Sequence, residues 1–285
     1  MRTSNVSLKR HLEAILQRYG RRDFVQSDPI SVPHGYSGRQ NRELAGFVAA
    51  MLAFGNVKSM LPAIRSVFAF LGRSPASALL AASDEQIRMG VRGIRYRWVD
   101  EGDLANLLMG LRAVLLRDGS LEPSFASGMP VGASTVQSGL AAMFTQVRAG
   151  VPAAALERYG TRYLLPDGAS KGASKRGHLF LRWMIRKDEI DFGLWESACA
   201  GQLTIPLDTH VARISRYLGL SDRKTADLRM AREITDRLRE LDPGDPVKYD
   251  FALSRLGILK ACPSRPVKET CKPCPLRPAC RYWAS

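Results

Sequence analysis

Four of the five cysteines, Cys262, Cys271, Cys274 and Cys280, fall in the last 24 residues with the spacing C-x8-C-x2-C-x5-C, while Cys199 stands alone. Four thiols within nineteen residues, in a reducing compartment, imply a metal centre rather than disulfides. Zinc sites built on four cysteines commonly use two C-x2-C knuckles, and only Cys271–Cys274 has that form. A [4Fe–4S] cluster also takes four thiolates and accepts irregular spacing in a compact loop. By spacing alone both metals remain open. A second stretch, TIPLDTHVARI, sets Asp208 between a short apolar run and a helical pattern. An acid there is either a helix N-cap, accepting hydrogen bonds from free backbone N–H groups, or a catalytic carboxylate.

The charge balance narrows the partners. Lys plus Arg number 42 against 27 acids, a net charge of +15, which favours a polyanion such as nucleic acid, an acidic membrane surface or a ribosome fitting too. From Lys260 onward six basic residues (Lys260, Arg265, Lys268, Lys272, Arg277 and Arg281) face one acid, Glu269. Such a loop suits phosphate contacts, although any one of its cations is equally read as a solvated charge. The first residues, MRTSNVSLKRHLEAILQRYG, form a charged amphipathic pattern without the apolar core of a signal peptide. The longest apolar run, LAGFVAAMLAFG, is well short of the ~20 residues that span a bilayer. The expectation is a cytoplasmic, nucleoid-associated protein that does not enter a membrane.

The elements that must position these residues are helices. NRELAGFVAAMLAFG, VKSMLPAIRSVFAFLG, DEGDLANLLMGLRAVLLRDG, ASTVQSGLAAMFTQVRAG and HLFLRWMIRK carry apolar residues at helical spacing. DTHVARISRYLGL, DLRMAREITDRLREL and VKYDFALSRLGILKAC complete the set. No stretch alternates over strand length, so the fold class is all-α, with about ten helices. Segments 27–41 and 161–178, rich in Gly, Pro and Ser, read as loops.

Three stretches in order now resemble one family. The x2 and x5 cysteine spacings are similar to the iron–sulfur loop of endonuclease III and the adenine DNA glycosylases, with a longer first gap here. PLDTHVARI resembles that family's catalytic aspartate segment, and SRLGILKAC resembles its last helix, which runs through a Gly into the first cluster cysteine. The resemblance covers the last eighty residues or so and implies the helix-hairpin-helix DNA glycosylase superfamily. It implies a [4Fe–4S] cluster on Cys262, Cys271, Cys274 and Cys280, and double-stranded DNA with a damaged base as partner.

The family's usual hairpin with its nucleophilic lysine is missing from the expected place. The nearest Gly- and Lys-containing stretch, GASKGASKRGHLFLRWM, is similar in placement to the archaeal 8-oxoguanine glycosylase branch. That comparison makes Lys175 the candidate nucleophile, Lys171 the second, and oxidised guanine the target, with possible AP-lyase activity. Excision passes through an oxocarbenium-like sugar, whose developing charge a fixed carboxylate at Asp208 would stabilise. A lysine attacking the sugar gives a Schiff base. Lys171, Arg176, Lys272 and Arg277 are expected on DNA, and Asn56, in AFGNVKS, as the wedge that fills the gap left by the flipped base; helix capping also accounts for Asn56. Phe180 and Trp183 read better as core than as stacking residues, Cys199 as a buried small residue, and His34 and His210 as structural.

The expected architecture is two helical lobes: a helical barrel over 40–198, and a cluster lobe made of 1–39 with 199–285. Lys175 and Asp208 would face each other across a basic cleft in a monomer. The rival readings are a non-catalytic module that kept fold and cluster but only binds nucleic acid, and a zinc-bound nucleic-acid adaptor.

Overall fold

In a computed structural model the described residues, 4–167 and 174–283, form helices joined by short turns. No strand occurs among them; the only β geometry is two isolated bridges, Tyr96–Val99 and Lys187–Phe192. The chain begins with α1 (Asn5–Tyr19), capped by the Ser4 side chain and burying Leu8, Leu12, Ile15 and Tyr19 along one face. A single turn, α2 (Ser31–His34), leads to α3 (Arg39–Met51), whose residues from Glu43 to Met51 are all buried. Then come α4 (Val57–Leu71), α5 (Pro75–Ala81) and α6 (Asp84–Gly90), the last opened by a capping box between Ser83 and Gln86. The long α7 (Glu101–Asp118) is capped by Asp100 and stopped by Gly119 in the left-handed region.

Shorter pieces follow: α8 (Glu122–Ala126), α9 (Gln137–Ala149), α10 (Ala153–Leu156) and α11 (Tyr159–Leu164). The last group is α12 (Lys175–Ile185), α13 (Thr209–Leu218), α14 (Leu228–Arg239), α15 (Asp250–Ile258) and α16 (Lys268–Cys271). Helix α3 lies at the centre, packed by α12, α2, α4 and α5, while α7 packs on α9, α6 and α11. Helices α1 and α13 both pack on α15, so the first helix meets the C-terminal segment. Buried apolar side chains form one contiguous cluster running from Leu8 to Ala279.

The all-α reading holds, and the chain is more finely divided than the apolar pattern predicts. Helices of four to seven residues, such as α2, α10 and α11, complete too few turns for a period to register. The presumed loop 27–41 therefore contains α2 and the start of α3, and 161–178 holds the end of α11 and the start of α12. Cys199 is exposed, correcting the expectation of a buried thiol. Phe180 and Trp183 are fully buried, as core packing predicts. No helix among the described residues is long and apolar enough to cross a membrane.

Candidate active site and cysteine centre

Asp208 occupies the N-cap of α13. Its Oδ1 accepts the backbone N–H groups of His210 (2.8 Å) and Val211 (2.7 Å). Its Oδ2 has only a long contact, 3.4 Å, from the Ser254 hydroxyl on α15. One oxygen thus fixes the carboxylate while the other stays available at a half-buried position.

Lys175 is the first residue of α12, half-buried, and its Nζ donates to the Ala53 carbonyl at 3.2 Å. Lys175 and Asp208 act on the same two groups. Burial holds the Asp250 carboxyl up at about 7, with Arg182 and Lys175 opposing and Asp208 reinforcing the rise. Burial likewise lowers His210, with Lys175 adding to the effect and Asp208 working against it. The starts of α12 and α13 thus both lie within electrostatic reach of Asp250, the first residue of α15. A buried ionic network sets this register. Arg182 of α12 bonds Asp250 of α15 and, at 3.0 Å, Asp191; Arg255 of α15 bonds Asp28 at 2.6 Å. His210 packs against Gly257, where a Cβ would lie 2.5 Å from the His210 Cβ, so α13 and α15 approach this closely only because residue 257 has no side chain.

The other anticipated DNA contacts are scattered. The Arg176 guanidinium donates to the carbonyls of Met51 (2.8 Å) and Tyr163 and lies 4.0 Å from the Tyr163 ring centroid. It ties α12 to the end of α3 and is not displayed to solvent as a phosphate contact would be. Asn56 is exposed and caps α4 by accepting the Lys58 N–H at 2.9 Å. Lys272 is exposed, and Arg277 is half-buried over the Trp283 ring at 5.2 Å. Lys171 lies outside the described residues. His34 fits its structural reading, donating its Nε2–H to the Ile190 carbonyl at 2.8 Å.

Cys262, Cys271, Cys274 and Cys280 line one apolar cavity of ≈ 420 Å³, opening included, together with Ile214, Leu218 and Leu276. The backbone N–H groups of Arg277 and Trp283 donate to the carbonyls of Cys274 (3.1 Å) and Cys280 (2.9 Å), turning the chain at each cysteine. Burial pushes the Cys262 thiol up to about 11, and the neighbouring thiols push the same way. Among the described residues, no three of His, Cys, Asp or Glu converge on a single point as one metal ion requires.

Two features beside the candidate site escaped the sequence reading. Asp250 reads as an ordinary acid opening a helix; nothing local signals its burial. Four aromatic rings, Phe54, Tyr96, Trp98 and Tyr163, converge beside Lys175 and Arg176. The available signal was RYRW, in which aromatics alternate with arginines.

Residues 28–259 match one protein family, whose description is Protein of unknown function (DUF2400). A search of curated proteins finds no match.

Proposed function

The chain belongs to the DUF2400 family, whose description assigns no activity, and from its residues we propose a DNA N-glycosylase that removes an oxidised base, with AP-lyase activity through a lysine Schiff base. The observation that carries this reading is the Asp208 carboxylate at the N-cap of α13, one oxygen fixed by the His210 and Val211 N–H groups and the other holding only a 3.4 Å contact with Ser254, with the Lys175 amine opening α12. A nucleophilic amine and a carboxylate with a free oxygen at the starts of two helices are the groups that glycosidic cleavage needs. The Lys175 amine attacks C1′ of the sugar; the N-glycosidic bond breaks, and its electron pair leaves with the base, which takes up a proton. Opening of the C1′–O4′ bond, with O4′ protonated, then gives the iminium. The ionised Asp208 stabilises positive charge on the sugar as the base departs.

The two-lobe reading draws support from the packing of α1 and α13 on α15, and of α12 on α3. On that reading Lys175 and Asp208 would stand on either side of the cleft. Cys262, Cys271, Cys274 and Cys280 would hold a [4Fe–4S] cluster whose role is to order the basic tail carrying Lys272 and Arg277, since glycosidic cleavage needs no electron. One observation favours the non-catalytic alternative: Lys175 already has a structural partner in the Ala53 carbonyl.

The test is borohydride trapping on duplexes with single lesions, 8-oxoguanine first, comparing wild type with Lys175→Ala and Asp208→Asn. A covalent adduct that disappears in Lys175→Ala establishes the bifunctional enzyme. Tight DNA binding with no adduct and no base release on any lesion would replace it with the binding module.

A further inference from the structure

Beside Lys175, and independent of the cysteine tail, two tight turns meet. In one, Tyr96 and Val99 exchange both backbone hydrogen bonds (2.9 and 3.0 Å), leaving Arg97 and Trp98 as the two residues of the tip. Arg97 has φ of 55°, the left-handed region that favours Gly or Asn, so an arginine there carries strain. The other turn, Phe54-Gly55-Asn56, lies directly beneath. A Cβ on Gly55 would lie 2.7 Å from both Arg97 Nη1 and the Tyr96 hydroxyl, and that hydroxyl donates to the Phe54 carbonyl.

Together the turns build an aromatic surface that is not closed over. Phe54 stacks on Trp98 with ring centroids 5.1 Å apart and planes at 22°, and Tyr163 meets both edge-on. Tyr159 stacks on Tyr163 at 24° and approaches Trp98 at 6.3 Å. Trp98 is 41% exposed and Tyr159 63%, an unusual display for two large rings in contact. The flanking chain carries arginines as well as acids, Arg95 lining a surface pocket with Asp100 and Glu101. Arg92, Arg95 and Arg97 are exposed, none is in an ion pair among the described residues, and Arg97 lies over the Trp98 ring at 5.1 Å. Two partly exposed aromatic rings, one with an unpaired arginine over it, match a nucleic-acid base with its phosphates better than an apolar protein partner.

We propose that Trp98 and Tyr159 form a stacking platform for an unpaired base in DNA, with Arg97 and Arg95 on the flanking phosphates. The proposal rests on the DNA-processing reading above and deepens it. A fully paired duplex offers no free base face, so the platform selects DNA in which a base is bulged, extruded or single-stranded. Its place next to Lys175, whose Nζ bonds the carbonyl preceding Phe54, puts the bound base at the entrance to the proposed cleft. The left-handed arginine fits the same role, because backbone strain is retained where the tip must present a cation beside the ring.

The experiment measures binding of full-length Asp208→Asn protein to three undamaged DNAs of one sequence: paired duplex, duplex with a single bulged nucleotide, and single strand. The bulged and single-stranded forms are expected to bind at least several-fold more tightly and to quench tryptophan fluorescence. Of the four tryptophans, Trp183 and Trp195 are buried and Trp283 lies at the cysteine cavity, so Trp98→Phe should keep the affinity while removing the quench. In that background Trp98→Leu, which keeps apolar volume without a π-face, and Tyr159→Ala should each lose roughly 5- to 100-fold on bulged DNA, the value of one stacked base. Arg97→Gly should keep or raise the melting temperature while weakening binding. Equal affinity of Trp98→Leu and its parent for bulged DNA would overturn the proposal, as would equal affinity for bulged and paired forms. Tighter binding of the same strand made as RNA would overturn the choice of DNA. Base release by wild type is assayed separately. Quenching without any release would leave the platform standing and remove the glycosylase reading; release that Trp98→Leu does not alter, with unaltered binding, would do the reverse.

Discussion

A carboxylate that caps a helix leaves room for a second task when the cap uses one oxygen: Oδ1 of Asp208 takes both backbone N–H groups and Oδ2 only a 3.4 Å contact with Ser254, which the proposed role uses. Substitution separates those tasks. Asparagine keeps an oxygen for the His210 and Val211 N–H groups and is as good a cap, so Asp208→Asn should shift stability by only a few tenths of a kcal/mol; alanine should cost about 1 kcal/mol. Both should abolish base release, because both remove the charge that steadies the sugar cation. Urea unfolding beside single-turnover kinetics checks the pair. Activity retained by Asn would demote Asp208 to a cap. This residue was legible because an acid just before an apolar helical pattern is a local signal. Asp250 was not: its burial depends on Arg182, 68 residues away in the chain, and no local pattern carries that. Cys199 failed for a related reason, since the exposure of a small residue in a turn is decided by what packs over it.

At the scale of elements, the candidate site depends on α12 and α15 keeping one register, and buried charge sets it. Arg182, 3% exposed, bonds Asp191 and Asp250, which are as deeply buried. Removing the cation would leave the buried Asp250 without its ionic partner, while Asp191 keeps Arg186 at 2.9 Å, so Arg182→Met should cost about 3 to 5 kcal/mol. Double replacement with Asp250→Leu should recover part of that by removing the orphaned carboxylate. A calorimetric series of the three variants checks this, and a double variant no better than the single one would contradict it. Gly257→Ala should cost about 1 to 3 kcal/mol by driving a methyl group into His210, and should lower base release as α13 moves with Asp208. Helices of this kind were legible where they are long. The α7 and α13 patterns carry caps, periods and a stopping Gly within themselves. The turn holding Arg97 and Trp98 was not, because its geometry comes from a two-residue bridge and from Gly55 approaching from another part of the chain.

For the whole molecule, two consequences follow from charge and burial. A net charge of +15 should make DNA affinity fall steeply with salt, as counterion release requires; Lys272→Ala, at the exposed tail, should reduce that slope by about one and weaken all sequences alike. The second consequence concerns pH. His178 is fully buried on α12, and neither ring nitrogen has a hydrogen-bond partner among the described residues. Burial, helped by Arg232, lowers its pKa from 6.5 to about 4, so the folded protein keeps a neutral imidazole that the unfolded chain protonates near 6.5. Above that pH neither state holds the proton and the full stability is present. Below it the unfolded chain gains a proton that the fold refuses, and stability drains away as pH falls toward about 4. At pH 5 the loss from His178 should be about 2 kcal/mol relative to pH 7.5. Asp250, held up at about 7, works oppositely, since the fold takes up its proton first and is stabilised as pH falls from 7 toward 4. The wild-type profile is therefore a difference between opposing slopes, and the variant isolates one of them. His178→Leu, which removes an unpartnered polar ring from an apolar site, should be as stable as wild type or more so at pH 7.5. Its advantage should widen by about 2 kcal/mol at pH 5. Parallel denaturation curves for the two proteins across that range would show instead that the imidazole titrates normally in the fold.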